Sequence, residues 1–342
     1  MLLAVIFATV IVLAAVADRL RWIKARMSAL VVGRALLVVG LVGLRQLRIA
    51  GAGWPRSPRG RPLRRRVRRA PTRTPPVSQD GRAPGVRRTQ DEATTSVDTW
   101  KFYDITHRDH VLCNPTTIAK IDELVGLLEL PRGARVLDIA CGKGELLIRI
   151  VERYGASAVG VDLSPYVVRE LRERVSARIP RGDAELLEMD GAAYAGAPAS
   201  FDLASCLGAS WTFGGHAGTL AALAAWAKPG GQVLVGEPFW RREPDPAYLA
   251  SSGMTRDQFG THADNVETGV RLGLTPLYAV ASDEDDFDHY EALQWRAADR
   301  FRRSHPDDPD VADLLDRVAR TRHEYLTWGR ETLGWSLYLF RT

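Results

Sequence analysis

The sequence predicts an α/β protein with a doubly wound, mostly parallel, seven-stranded sheet and helices on both faces, preceded by an apolar and basic N-terminal segment. Three observations lead to this prediction. Apolar segments alternate with amphipathic ones from about residue 115, a glycine-rich turn follows the first apolar segment, and the composition changes abruptly near residue 95. Strands alternating with helices at this spacing are typical of a parallel sheet.

Helices are predicted where apolar residues recur at helical spacing, in "NPTTIAKIDELVGLLEL", "GELLIRIVERYG", "PYVVRELRERVSARI" and "TLAALAAWAKPGG". Gly155, Pro165 and the glycines of "KPGG" supply the stop and start signals. The seven strands are predicted in "RVLDIA", "ASAVGVDLS", "AELLEMD", "FDLASCLGAS", "QVLVGEPFW", "TPLYAVAS" and "GWSLYLFRT". In such sheets ligands bind beyond the carboxyl ends of the strands, so residues at those ends are the site candidates.

The net charge of +5 conceals two different regions. Residues 1–95 contain 19 Arg and Lys against 4 Asp and Glu, which is a net charge of +15, whereas residues 96–342 carry −10. We therefore predict an apolar segment over residues 1–50, a basic Pro/Arg-rich disordered linker over 51–95, and a folded domain over 96–342 with substrate-cap insertions near 240–330. The linker cannot bury enough apolar surface to offset its ordering entropy.

The apolar segment contains two runs, residues 1–17 and 28–44, at the short limit of the roughly 17–25 residues that span a membrane. One interpretation is a two-helix membrane anchor, although both flanks of the second run are basic. A signal peptide is disfavoured because the positively charged start is missing. A third interpretation is a mis-assigned start, with translation beginning near Val97. The arginines of the linker lack interleaved aromatic residues, which argues against nucleic-acid binding.

The cysteine and histidine patterns predict no metal site. Cys113, Cys141 and Cys206 are far apart and form no CxxC pair, which favours a reducing compartment. His107 and His110 have HxxH spacing, but no third ligand follows at a suitable distance.

The stretch "RVLDIACGKGE" (residues 135–145) predicts the cofactor. Gly142 and Gly144 fit the first two positions of a dinucleotide-binding turn, but Leu147 occupies the third glycine position, and Asp138 ends the preceding strand. A carboxylate is unfavourable beside a pyrophosphate and favourable beside an ammonium group. S-adenosylmethionine (SAM) has an ammonium group and no phosphate, so we favour SAM over NAD.

Carboxylates at later strand ends agree with this prediction. Asp162 could accept hydrogen bonds from ribose hydroxyls and Asp190 from the adenine amino group, with backbone access at Gly191 and Ala192. Cys141 lies at a helix N-terminus that would lower its pKa, but a packing role beside the adenosyl group is favoured over a nucleophile. The complete set of predicted cofactor-binding residues is Asp138, Ala140, Cys141, Gly142, Gly144, Asp162, Leu163, Asp190 and Gly191.

This ordered set, followed by "AKPGG", resembles the class I SAM-dependent methyltransferases over roughly residues 115–240. From about residue 99 onwards, "HVLCNP", "LGASW", "VGEPFW" and "GRETLGW" are similar to a bacterial family of small-molecule SAM-dependent methyltransferases whose substrates are incompletely defined. The resemblance implies a Rossmann-like methyltransferase domain. Ala140 and Lys143 depart from the family's glycine-rich pattern.

Acceptor residues are predicted after the fourth strand by analogy with this fold. Ser210 would leave room beside the sulfonium, while Trp211 and Phe213 could wall the pocket or pack in the core. His110, His216 and Glu237 are the candidate catalytic bases or substrate contacts. The strand-four end lacks the Asn-Pro-Pro-Tyr run of many nucleic-acid N-methyltransferases.

The sequence thus predicts transfer of the SAM methyl group to a small-molecule acceptor, which could be lipid-like. A non-catalytic SAM-binding sensor or partner module is the alternative, and an NAD-dependent oxidoreductase is the third hypothesis. The catalytic domain is expected in the cytoplasm, tethered to the inner membrane if residues 1–44 anchor it. The methylated atom and the oligomeric state are left open.

Overall fold

The computed structural model describes residues 97–180 and 183–342. The predicted anchor over residues 1–50 and the predicted linker over residues 51–95 lie outside the described residues. Among the residues that are described, no helix is both long and apolar enough to cross a membrane.

The seven predicted strands are confirmed and form one sheet of order β3-β2-β1-β4-β5-β7-β6. The strands are β1 (Arg135–Ile139), β2 (Ser157–Asp162), β3 (Asp183–Glu188), β4 (Phe201–Leu207), β5 (Ala227–Trp240), β6 (Thr275–Ala281) and β7 (Leu333–Arg341). The first five are parallel, while β7 lies antiparallel between β5 and β6. The order reverses at β1, so β1 and β4 enclose the crevice where doubly wound folds bind ligands.

The main helices are α1 (Thr99–Thr106), α2 (Ile118–Leu127), α3 (Glu145–Tyr154), α4 (Pro165–Arg178), α5 (His216–Trp226), α6 (Pro246–Ser252), α7 (His262–Arg271), α8 (Glu284–Ser304) and α9 (Val311–Glu324). A π-helical turn, Tyr325–Gly329, follows α9 directly. Two of the predicted boundary signals operate: Gly155 ends α3 at φ 60°, and Pro165 opens α4. The side chain of Thr117 caps α2.

One predicted boundary is wrong. Helix α5 ends at Trp226 instead of continuing to the glycines, because Ala227 is extended and pairs with Phe201 of β4. Lys228 then binds the Asp202 carboxylate at 2.8 Å, which fixes the start of β5 against β4. Tertiary pairing therefore overrides the helical spacing of this segment.

The sheet carries a hydrophobic core on each face, as predicted. Alternate residues of β7 enter opposite cores: Leu337 and Leu339 pack with α2 and α3, and Tyr338 and Phe340 pack with α5. A smaller core joins α1 to α8 and α9 through Phe102, Ala298, Leu314 and their neighbours. The segment predicted to hold cap insertions contains α6–α9 and also β6, so sheet and cap elements alternate there.

Candidate active site

The turn between β1 and α3 is shaped by positive φ angles. Ala140, Gly142 and Gly144 have φ values of 53°, 56° and 71°. A Cβ on Gly144 would lie 2.1 Å from Leu171 Cδ1, so only glycine fits there. The left-handed conformation costs a residue with a side chain roughly 1–2 kcal/mol, so Ala140 is held in a strained conformation. The two glycines therefore let the backbone turn sharply between β1 and α3 at the edge of the cleft.

Asp138 is buried at the end of β1, where its carboxylate lines this cleft. Ser205 Oγ on β4 donates a hydrogen bond to Asp138 Oδ1 at 2.8 Å. Burial raises the pKa of Asp138 to about 7, although the Ser205 hydrogen bond opposes the rise. A cationic group in the cleft would favour the ionised carboxylate, which suits the ammonium group of SAM.

Asp162 at the end of β2 fixes the turn from the other side. Its Oδ2 accepts a hydrogen bond from Gly142 N–H and its Oδ1 from Ser164 N–H, both at 2.9 Å. Burial nevertheless raises the pKa of Asp162. Each carboxylate oxygen has further lone pairs, so Asp162 retains capacity to accept ligand hydroxyls. Leu163, the next residue, is exposed beside it.

The end of β3 is followed by a short turn that approaches the end of β1. Asp190 is exposed, and its Oδ1 accepts a hydrogen bond from Ala192 N–H at 2.9 Å. A Cβ on Gly191 would lie 2.6 Å from Ile139 Cγ2, so glycine permits this approach. Asp138, Asp162 and Asp190 thus end β1, β2 and β3 along one edge of the sheet.

Cys141 belongs to the turn between β1 and α3, and its side chain is directed towards β2. Its Sγ is 3.1 Å from the position that a Cβ on Gly160 would take, so the thiol packs against β2. Burial raises the pKa of Cys141 well above its ordinary value. The thiol stays protonated at neutral pH, which favours the packing role over the nucleophile.

Residues 107–114, which precede α2 and which we call the covering segment, border the cleft, and His110 is the site residue predicted in them. Residues 111–114 line the cleft, and Cys113 Sγ lies 3.8 Å from the Cβ position of Gly142. Lys143 reaches from the turn to Glu170 of α4 at 2.8 Å and to the Arg108 carbonyl at 3.3 Å. The unusual lysine at position 143 was the one sequence signal for this contact. Its side chain connects the turn to the covering segment through the Arg108 carbonyl.

His110 is held in the covering segment by α8. Its Nε2–H donates a hydrogen bond to the Tyr290 carbonyl at 2.8 Å, and its Nδ1 is buried without a partner. Burial lowers the pKa of His110, so the ring is neutral at pH 7. His107 lies beside it and hydrogen-bonds the Tyr290 hydroxyl at 2.7 Å.

The other two candidate catalytic residues meet at the ends of β4 and β5. Glu237 is buried on β5, and Ser210 Oγ donates a hydrogen bond to its Oε1 at 3.0 Å. His216 Nε2 donates to the Asn265 carbonyl at 3.0 Å, which leaves Nδ1 facing Glu237 Oε2 at 3.8 Å. Neither Nδ1 nor Oε2 has a hydrogen-bond partner. The structure therefore brings Ser210, His216 and Glu237 together and places His110 elsewhere, on the Tyr290 side of the covering segment.

The two aromatic candidates differ in their surroundings. Trp211 is 58% exposed at the rim after β4. Phe213 packs edge-on against Trp226 of α5, with ring centroids 5.9 Å apart, so it contributes to the core. Over residues 97–180 and 183–342, no group of three or more His, Cys, Asp or Glu side chains is arranged to hold a metal ion.

Comparison with known proteins identifies the class of protein to which this fold, with its row of carboxylates at the strand ends, belongs. Residues 136–231 match the sequence family described as "Methyltransferase domain". The crystal structure of a SAM-dependent methyltransferase from Thiobacillus denitrificans, in complex with S-adenosyl-L-homocysteine, is similar with a TM-score of 0.66 and 32% identity, covering 72% of this chain and 99% of that one. A SAM-dependent methyltransferase from Geobacter sulfurreducens, with the same ligand, is similar with a TM-score of 0.67 and 28% identity. The match covers 72% of this chain and 98% of that one.

A relative found by sequence comparison matches most of the chain. The uncharacterized protein YjhP of Escherichia coli K12 is 31% identical over 241 residues, which cover 70% of this chain and 96% of that protein. The chain belongs to the SAM-dependent methyltransferase family. SAM is its cofactor, consistent with the buried carboxylate and the glycine turn.

Proposed function

We propose that the protein transfers the methyl group of SAM to an oxygen or nitrogen atom of a small-molecule acceptor. The observation that carries this proposal is the unpartnered pair of His216 Nδ1 and Glu237 Oε2, buried 3.8 Å apart. Two atoms at this separation can both reach one hydroxyl or amine group at hydrogen-bond distance. An oxygen or nitrogen acceptor has a proton to lose, and this pair offers a base for it.

We propose individual roles for the cofactor-binding residues. Asp138 binds the ammonium group, Asp162 the ribose hydroxyls and Asp190 the adenine amino group. Gly142 and Gly144 allow close approach of the backbone. Of the remaining members of the predicted set, Ala140 and Cys141 line the cleft, while Leu163 and Gly191 follow Asp162 and Asp190 and would border the ribose and the adenine.

When bound, SAM supplies a methyl group already activated by its sulfonium, whose sulfur keeps the electron pair of the broken bond. The chain's task is then alignment and proton removal. Glu237, oriented by the Ser210 hydroxyl, or His216, fixed by the Asn265 carbonyl, takes the acceptor's proton as the new bond to the methyl carbon forms. Trp211 walls the acceptor pocket. His110 is the second candidate for the base.

The test is transfer of isotopic label from methyl-labelled SAM by the full-length protein. A bacterial extract, separated into water-soluble small molecules, lipids, nucleic acids and proteins, supplies the acceptors. Label is expected among the small molecules. Glu237→Gln should reduce the rate by about 10²–10⁴-fold while SAM affinity stays unchanged. The matched control is Glu267→Gln, an exposed carboxylate on α7.

The other outcomes separate the alternatives. Label in nucleic acid or protein would contradict the small-molecule acceptor. SAM binding without transfer to any fraction would favour the non-catalytic module. Label in lipids would support a lipid-like acceptor and a tether through residues 1–44 to the inner membrane, with the catalytic domain in the cytoplasm.

A further inference from the structure

A second cavity of about 170 Å³ lies between α6, α8 and the π-turn after α9. We call it the cap cavity and define it by Tyr248, Met254, Phe287, Glu291, Glu324 and Tyr325. It shares no lining residue with the cofactor cleft. None of the residues that line it is Lys, Arg or His.

Glu291 gives the cap cavity an uncompensated carboxyl group. In the described part of the chain it has neither a hydrogen-bond partner nor an ion pair, and burial raises its pKa to about 7. Two arginines of neighbouring elements have other partners: Arg330 binds Asp288, and Arg241 donates to the Ser282 carbonyl, with its guanidinium carbon 5.9 Å from the centroid of the Phe287 ring. Glu291 is half-buried, and an ionised carboxylate that is partly removed from water without a partner is unfavourable, so a cation in the cavity would stabilise it.

Three aromatic rings, those of Tyr248, Phe287 and Tyr325, line the same cavity as this carboxyl. Tyr248 stacks on Trp328 with centroids 5.8 Å apart, and Phe287 lies parallel to Tyr325 at 6.4 Å. The Tyr325 hydroxyl donates to Asp288 at 2.6 Å, which fixes that ring. Ring faces attract cations, most strongly where water is excluded. Glu324 adds a second carboxylate at the wall, where it accepts from Ser251.

The backbone at the cavity is also unusual. Tyr325–Gly329 is a π-helical turn, and both of its end residues line the cavity. Such turns are rare and occur frequently at functional sites. A Cβ on Gly329 would lie 3.1 Å from the Tyr248 hydroxyl, so the wide turn keeps a glycine where the wall is closest.

We propose that the cap cavity binds a small organic cation, an amine or methylated ammonium compound with a compact apolar body, whose charge pairs with Glu291. Its volume of about 170 Å³ is near the ~150 Å³ of an apolar cavity that holds benzene, so the ligand has roughly the size of one aromatic ring with its amine. The inference does not depend on the proposed methyl transfer, because binding requires no SAM.

The test is calorimetric titration of the full-length protein, without SAM, with benzylammonium and with benzyl alcohol. The two probes have the same number of non-hydrogen atoms and differ in charge. Benzylammonium should bind about tenfold more tightly or better. Glu291→Gln should abolish this preference and Tyr248→Leu should weaken it, while Glu267→Gln leaves it unchanged. Glu291→Gln removes a desolvated charge, so its melting temperature at pH 8 should not fall.

Equal affinity for the two probes, or no binding of benzylammonium at millimolar concentration, would overturn the cation site. Retention of the charge preference in folded Glu291→Gln protein would overturn the role of that carboxyl. Neither result bears on label transfer from SAM, so the two proposals fail separately.

Discussion

The cofactor edge, where Asp138, Asp162 and Asp190 follow one another, and the cap cavity both contain a carboxyl group whose pKa burial raises to about 7. However, Asp138 is buried and Glu291 is half-buried, and the two regions are built differently. Asp138 stands on a strand and receives a hydrogen bond from Ser205, beside a turn in which Ala140, Gly142 and Gly144 have positive φ and Gly144 has no room for a Cβ. Glu291 stands among side chains from three separate elements and has no partner in the described part of the chain. We expect the first region to hold its ligand mainly through the shape of the backbone turn, and the second through the side chains of its walls.

The largest expected effect on stability comes from adding a single methyl group at Gly144, in the turn between β1 and α3. Gly144→Ala should lower the free energy of unfolding by roughly 2–4 kcal/mol, because φ is positive and the new Cβ would meet Leu171. Gly133→Ala is the matched control, since its φ is also positive but nothing lies within 4 Å; it should cost about 1 kcal/mol. Equal losses in chemical denaturation would contradict the packing argument.

Asp162→Asn should weaken SAM binding by about 10- to 100-fold, or roughly 1.4–2.8 kcal/mol. The amide can accept from one of the two backbone N–H groups but presents an NH₂ to the other, so the turn loses a fixed contact. Calorimetric titration with SAM measures the change. Asp183→Asn, an exposed carboxylate at the opposite end of β3, should leave the affinity as it is. Unchanged affinity in Asp162→Asn would break the assignment of this edge to SAM.

The pH dependence of SAM binding sharpens the comparison of the two carboxyl groups. Asp138 is protonated in the free protein below its pKa of about 7, and a cationic ligand favours its ionised form. Affinity should therefore fall about tenfold per pH unit below 7, and it should fall again above about pH 8, where the α-amino group of SAM loses its proton. Ser205→Ala should move the break to higher pH, because the hydroxyl stabilises the ionised form. An affinity that is flat from pH 5.5 to 8 would rule out Asp138 as the ammonium partner.

The smallest expected effect on stability is at the rim. Trp211→Ala should change the free energy of unfolding by less than about 0.5 kcal/mol, because the side chain is 58% exposed. The same variant should raise KM for the acceptor once label transfer has identified one. A loss of stability with unchanged KM would instead place Trp211 in the packing of the loop after β4.

The sequence was sufficient to place the strand ends and the glycine turn that carry the predicted cofactor residues, and insufficient for the cap. Asp138, Gly142, Gly144 and Asp162 lie within 25 consecutive residues, and each belongs to a strand end or a turn with a local signature. Helix α5 ended earlier than its spacing predicted because strand pairing at Ala227 prevailed.

Residues that depend on distant partners were not predictable in this way. In the sequence, Lys143 only departs from the family pattern. Its contacts with Glu170 and the Arg108 carbonyl are visible only in the folded structure. The same holds for Tyr248 and Tyr325, which tertiary packing brings to one cavity from positions 77 residues apart. Ser210, His216 and Glu237 were predicted one by one, while their contact was not.

The position of β7 between β5 and β6 has a consequence for how the chain folds during synthesis. Strand β6 ends at Ala281 and its sole hydrogen-bonded neighbour in the described sheet begins at Leu333, so about 50 residues must emerge before β6 can pair. Until then the edges of β5 and β6 stay open to association with other chains. The sheet is therefore completed late, when β7 enters between β5 and β6. We expect this pairing to limit the rate of folding.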